Sequence, residues 1–215
     1  MIRNLLLDWS GTLADDFGPV LKATNAIFRD HGLAEFTDEE FRRHFRLPYS
    51  EFYAEFMPEV AVEGLEPLYE QFFANLHDEV SLLPGAREFI DFCKRTNRRI
   101  FLLSTIKVSH FEAQAGLLGV RDVFEHPYVG IMDKREKIRE ILATHNLDQG
   151  ETAFVGDMVH DIETARHGGV MSVAVLTGFD SLEKIAPARP DVIVRDLSVL
   201  QKLLGGMTVI ESQPA

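Results

Sequence analysis

The sequence predicts an α/β chain in which a parallel sheet is interrupted, after its first strand, by a wholly helical insert. Two observations carry this reading. Short apolar runs at residues 4–7, 100–103, 152–155, 171–176 and, more weakly, 192–194 alternate with helical patterns. Strands and helices that alternate along a chain fold into a parallel sheet covered on both faces. The stretch 16–83 breaks this rhythm, with four helical patterns and no strand-like run.

Each element has its own reason. Leu5-Leu6-Leu7 is a continuous apolar run ending at Asp8, as expected of a strand buried on both faces. The insert carries helical patterns at 20–31, 38–45, 49–56 and 65–80. It is rich in phenylalanine: Phe28, Phe36, Phe41, Phe45, Phe52, Phe56, Phe72 and Phe73. A small helical unit needs large apolar groups to bury enough area, so these rings are expected to form its own core. Further on, residues 89–93 read as a buried helix face that includes Cys93. The helical patterns at 109–118, 134–145 and 161–167 are each stopped by glycine or asparagine, and 197–204 closes the series. The polar tail 211–215 is expected to fray. The whole is a Rossmann-like core, residues 1–15 and 84–215, with an inserted α-helical cap, residues 16–83.

Composition narrows the classes of function. The chain has 215 residues, a formal net charge of −12, 46% hydrophobic and 26% charged residues. That acidity argues against a nucleic-acid or anionic-membrane surface. An anionic substrate would then need local positive charge or a bound cation. A single cysteine, Cys93, permits no internal disulfide and fits a reducing cytoplasm. No N-terminal signal segment is expected, and no apolar stretch approaches the roughly 18 residues needed to span a membrane. Oligomeric state is left open.

The chemistry is expected beyond the carboxyl ends of the strands, where open parallel sheets bind ligands. The first strand ends in Asp8-Trp9-Ser10-Gly11-Thr12, the second in Ser104-Thr105, and the run 152–155 in Gly156-Asp157 with Asp161 four residues on. Lys134 opens an intervening helix. Carboxylates gathered on one face repel one another unless a cation joins them, and a hard divalent ion suits oxygen ligands. Lysine can offset charge on a carboxylate and a phosphate together. Gly11 lets the backbone turn sharply beside Asp8. Taken singly, Asp8 reads equally as a turn residue, Asp157 and Asp161 as helix N-caps, and Ser104 and Thr105 as caps of the next helix. The set of strand ends taken together is what points to a site.

Asp8-Trp9-Ser10-Gly11-Thr12 resembles the D-x-D-G-T signature of the haloacid-dehalogenase-like superfamily. Ser104 is similar to its second motif, Asp133-Lys134-Arg135-Glu136-Lys137-Ile138 to its lysine motif, and Gly156-Asp157-Met158-Val159-His160-Asp161 to its G-D-x-x-x-D motif. Ala165, Gly168-Gly169-Val170, Thr177-Gly178 and Ala188-Arg189-Pro190-Asp191 resemble its phosphoglycolate-phosphatase branch, which places a cap where the helical insert lies. The resemblance implies a Mg²⁺-dependent phosphatase acting on a small phosphorylated metabolite. Asp8 would attack phosphorus to form an aspartyl-phosphate. Mg²⁺ would be held by Asp8, the main-chain carbonyl of Ser10 and Asp157, with Asp161 supporting it directly or through water. Lys134 would steady the nucleophile, with Lys137 a weaker alternative. Ser104, or else Thr105, would bind the transferring group.

Two departures matter. The family's phosphatases carry a second aspartate two residues after the nucleophile, as the acid–base for the leaving alcohol and the attacking water. Here that position is Ser10, and loss of a positioned acid–base typically costs about 10²–10⁴-fold in rate. Asp15, Asp16 and His160 are possible substitutes, although Asp15 and Asp16 read more simply as caps of the first insert helix. Asp-Trp-Ser-Gly-Thr is also close to the D-W-A-G-T of phosphonoacetaldehyde hydrolases, which cleave a carbon–phosphorus bond through a cap lysine. No lysine lies between Lys22 and Lys94. A third reading is a catalytically weak module that binds a phosphate ligand. In the insert, Arg46 stands where relatives tend to have glycine, and is expected either to clamp a substrate anion or to sit in solvent.

Overall fold

A computed structural model describes residues 1–206; the tail 211–215 lies outside the described residues. Six parallel strands form one sheet in the order β5-β4-β1-β6-β7-β8. They are β1 (Asn4–Leu7), β4 (Arg99–Leu103), β5 (His126–Tyr128), β6 (Thr152–Gly156), β7 (Met171–Val175) and β8 (Val192–Val194). β1 is central, with Leu6 opposite Phe101 on one side and Phe154 on the other. Leu5 and Leu7 face a layer built from α5 (Ala86–Arg95), α6 (Val108–Leu117) and α10 (Leu197–Gly206). Leu6 faces the opposite layer, α7 (Lys134–Thr144) and α8 (Val159–Gly168). Both faces are therefore covered, which is why the strand reads as a continuous apolar run.

The insert contains α1 (Phe17–Asp30), α2 (Asp38–His44), α3 (Tyr49–Phe56) and α4 (Val62–Phe73). α1 starts three residues before the expected 20, because Pro19 fits a first turn where no N–H is required. α2 opens on a capping box between Thr37 and Glu40, which satisfies two otherwise free N–H groups. The single helix expected at 65–80 is instead α4, a break, and a 3-10 turn at His77–Glu79. Val80 then leads into β3 (Ser81–Leu82), which pairs antiparallel with β2 (Ala14–Asp15). These two strands, unseen in the sequence, are the paired stems that join the insert to the core. At two residues each, they are too short to leave a periodic trace. β5 was also missed, since His-Pro-Tyr at a sheet edge carries no strand signature. A short helix, α9 (Leu182–Ile185), was missed as well.

The phenylalanines do build the insert's core, with one exception. Phe28, Phe41 and Phe52 are almost wholly buried, and Phe36, Phe45, Phe56 and Phe72 pack around them. The cluster is closed by two residues outside the insert, Met158 and Phe179, with ring centroids of Phe45 and Phe179 5.4 Å apart. Four short helices cannot enclose this many rings alone, so the core side supplies the floor. The exception is Phe73, which packs edge-on against His110 of α6 at 4.8 Å. Among the described residues no helix is long and apolar enough to cross a membrane.

Candidate active site

Asp8 follows β1 directly, and its N–H bonds to the carbonyl of Val155 in β6 at 2.9 Å. Asp8 thus lies where the chain, having built β4 and β5 on one side of β1, returns to build β6 on the other. That switch point opens a crevice at the strands' carboxyl ends. Trp9 is fully buried, and its Nε1–H donates to Gln114 Oε1 at 2.6 Å. Its carbonyl accepts the N–H groups of Leu13 and Ala14 at 2.9 Å each. Gly11 takes φ +71, and a Cβ there would stand 2.5 Å from Asp157 Oδ2. Only glycine allows this turn to pass so close to the second carboxylate.

Asp8, Asp157 and Asp161 present oxygens within 4.8 Å of one another. Lys134 Nζ lies 2.8 Å from Asp8 Oδ2 and 2.7 Å from Asp161 Oδ1. Asp161 Oδ2 accepts the N–H groups of Asp157 and Met158 at 3.1 and 3.0 Å. Asp161, expected to support the metal directly or through water, braces both Lys134 and the turn into α8. Asp157 accepts from the Thr12 hydroxyl at 2.9 Å and from the Phe179 N–H at 2.7 Å, so it is no helix cap. Burial, then repulsion from Asp161 and Asp8, pushes Asp157 well above the carboxylate range. Asp8 is also raised, chiefly by burial, against the pull of Lys134. Burial opposes the charge on Lys134, but Asp161 and Asp8 outweigh it and hold the ammonium protonated. Three buried carboxylates against one ammonium leave an excess of negative charge. Asp8 Oδ1 is buried without a hydrogen-bond partner. An oxygen-only donor set with an orphaned carboxylate oxygen fits a hard divalent cation.

Ser10 is paired with Asp16, a possible substitute for the missing aspartate that the sequence reads more simply as a helix cap. The Ser10 hydroxyl donates to Asp16 Oδ2 at 2.6 Å, and Asp16 Oδ1 is buried without a partner. Asp16 holds the N-cap position of α1, but its side chain makes no capping bond. Burial raises its pKa to about 7; the Ser10 hydrogen bond opposes this and the Asp8 charge adds to it. Asp15 is exposed on the β2 stem. His160 is buried beside Lys134, and burial, reinforced by the Lys134 and Arg135 charges, lowers it to about 4.

Asp8, Ser10, Asp16 and Thr105 open onto one cavity of roughly 150 Å³ between core and insert. His160, Ser104 and Arg46 are not on its lining. Ser104 is buried behind Thr105, and its hydroxyl accepts the Ile106 N–H at 3.3 Å. Arg46 donates to Glu55 Oε2 at 2.6 Å and to the carbonyls of Glu51 and His44 at 3.0 and 3.1 Å. The anion-clamp expectation for Arg46 therefore gives way to the solvent-side one, because neighbouring acidic groups already hold the guanidinium. Lys137 pairs with Glu140 on the exposed side of α7, away from Asp8. Most of the cavity wall escaped the sequence reading, Gln114, Phe179, Lys107 and His110 among it. Gln114 reads as an ordinary helix glutamine until Trp9 is seen to need a partner.

The parallel sheet, the crevice at its switch point and the lysine-linked carboxylates define a Rossmann-like α/β core with an inserted helical cap. The family follows from the sequence itself. The profile of the haloacid dehalogenase-like hydrolases matches residues 5–175, and the chain belongs to that family. It is similar to a phosphoglycolate phosphatase of Synechococcus elongatus, with 24% identity over 93% of this chain and 95% of that protein. It is similar also to the pyrophosphatase PpaX of Anoxybacillus flavithermus, with 24% identity over 95% of this chain and 97% of that protein. In fold it matches a predicted phosphatase from Clostridium acetobutylicum, with a TM-score of 0.86 and 17% identity over 96% of this chain and all of the other. CbbY from Rhodobacter sphaeroides in complex with phosphate superposes with a TM-score of 0.78 and 20% identity, over 93% and 96% of the two chains.

Proposed function

We propose that the protein is a Mg²⁺-dependent phosphatase of small phosphate monoesters, working through an aspartyl-phosphate on Asp8. The observation that carries this reading is Asp8 itself, with one oxygen fixed by Lys134 and the other buried and free. Residues 16–83 act as the cap and 1–15 with 84–215 as the core. Asp8, Asp157 and the Ser10 main-chain carbonyl would hold Mg²⁺, which neutralises phosphoryl charge and supplies the positive field that a chain of net charge −12 otherwise lacks. The Asp8 carboxylate attacks phosphorus, a P–O bond forms to Asp8, and the bond to the substrate's ester oxygen breaks. The leaving oxygen takes a proton from the Ser10 hydroxyl, and Ser10 is reprotonated by Asp16. In the second half, water attacks the same phosphorus. Its proton passes to Ser10 and on to Asp16, and phosphate leaves Asp8 as a free carboxylate. Thr105, at the cavity wall, binds the transferring group, and Lys134 holds Asp8 in its attacking orientation.

Carbon–phosphorus cleavage is less well supported. A lysine does reach the cavity, Lys107 from the core. Burial lowers its pKa, but the hydrogen bond and charge of Glu70 outweigh this and keep the amine protonated, whereas an imine needs a neutral amine. The weak binding module is favoured by no particular contact.

The test has two parts. Hydrolysis of an aryl phosphate should stop on chelation and return with Mg²⁺; turnover that persists in chelator would sink the metal assignment. Asp16→Asn keeps the size of the side chain and removes its proton exchange. It should lower turnover of alkyl phosphates by about 10²–10⁴-fold. An Asp16→Asn enzyme with wild-type kcat would mean the proton travels another way.

A further inference from the structure

The cavity that receives Asp8 is apolar over most of its wall. Tyr49, Tyr53, Leu65, Tyr69 and Phe73 of the insert line it, and Phe179 closes it from the core side. The tyrosine hydroxyls are partly committed: Tyr49 donates to Glu66 Oε1 at 2.8 Å, and Tyr53 is hydrogen-bonded to Thr24. What such side chains offer a ligand is mainly their ring faces.

Among the described lining residues, the side chains able to carry positive charge are Lys107 and His110. Lys107 Nζ lies 3.0 Å from Glu70 Oε1 and 3.6 Å from Glu66 Oε2. His110 Nε2 lies 3.0 Å from the same Glu70 oxygen, and its Nδ1 is 3.3 Å from His77 Nε2. That wall thus sets one ammonium against two carboxylates. A substrate carboxylate or second phosphate would meet no free cation there and would face the charges of Glu66 and Glu70. Arg46, the residue best suited to such a group, is held elsewhere by Glu51 and Glu55. An apolar ring meets no such penalty.

We propose that the organic part of the substrate is uncharged and apolar, so that the substrate class is phosphate monoesters of apolar alcohols and not of hydroxy acids or pyrophosphate. This rests on the reading of Asp8 as the nucleophile. It departs from what the names of the similar proteins suggest.

The experiment compares benzyl phosphate with phosphoglycolate under Mg²⁺. Both release alkyl-type alcohols, so leaving-group acidity does not decide the result. Burial of a ring-sized apolar group supports at least about tenfold higher kcat/KM for benzyl phosphate. Tyr49→Ala should raise KM for benzyl phosphate by roughly tenfold, while competitive inhibition by inorganic phosphate, which reads the Asp8 end alone, keeps its constant. Phosphoglycolate turned over as well as or better than benzyl phosphate would overturn the substrate class and leave Asp8 standing. An unchanged KM in a folded Tyr49→Ala protein would do the same, and the wild-type comparison decides if that variant does not fold. Silence toward both esters, together with no phosphate binding, would remove the Asp8 reading and this proposal with it.

Discussion

Asp8→Asn is expected to abolish turnover while leaving the protein folded. Asparagine has nearly the same shape but cannot donate an electron pair to phosphorus as a carboxylate does, and removing the nucleophile of a covalent mechanism costs on the order of 10⁴-fold or more in kcat. The stability side of the prediction follows from the local charges. Asp8 is buried, one of its oxygens is unpartnered, and it stands near two other carboxylates. A neutral amide relieves that repulsion, and Lys134 keeps its partner Asp161 at 2.7 Å. Thermal unfolding should therefore show a Tm at or above that of the wild type, as expected where a site is built at some cost to the fold. Activity within tenfold of wild type would refute the nucleophile assignment. A collapsed Tm would show that Asp8 holds the structure together as well.

Lys134→Met should have the opposite profile, with a large loss of stability as well as of activity. Lys134 is fully buried and bridges Asp8 and Asp161. Methionine fills much the same volume but leaves two buried carboxylates without their counter-charge. Removing one partner of a buried ion pair typically costs about 3–5 kcal/mol. In a chain of this length that corresponds to a fall in Tm on the order of 10 °C. Mg²⁺ should restore part of the loss, because a cation at Asp8 and Asp157 offsets the same excess charge. Denaturant unfolding with and without Mg²⁺ measures both effects. A variant as stable as wild type in chelator would mean that the carboxylates are relieved in some other way.

The sequence by itself determined five of the six strands of the sheet and the residues at their carboxyl ends. Buried parallel strands must be continuously apolar, so the run Leu5–Leu7 and the later runs announce themselves, and the residue that ends each one sits at the ligand-binding edge by topology alone. Asp8 and Asp157 were legible for that reason, Lys134 as the residue that opens an intervening helix, and the family profile spans the first four of those runs. Tertiary structure decided matters that depend on which groups become neighbours across long separations in the chain. Asp16 follows Ser10 closely and reads as a helix cap. Only the packing of the insert onto the core buries it beyond capping geometry and turns its carboxylate to the Ser10 hydroxyl. Arg46 reads equally well as an anion clamp, until Glu51 and Glu55 are seen to hold it. The glutamates that neutralise Lys107 lie some forty residues away along the chain, on α4. Local pattern reports burial and strand ends because both follow from periodicity. It does not report the charge balance of a cavity, which is a sum over side chains that meet only when cap and core are packed together.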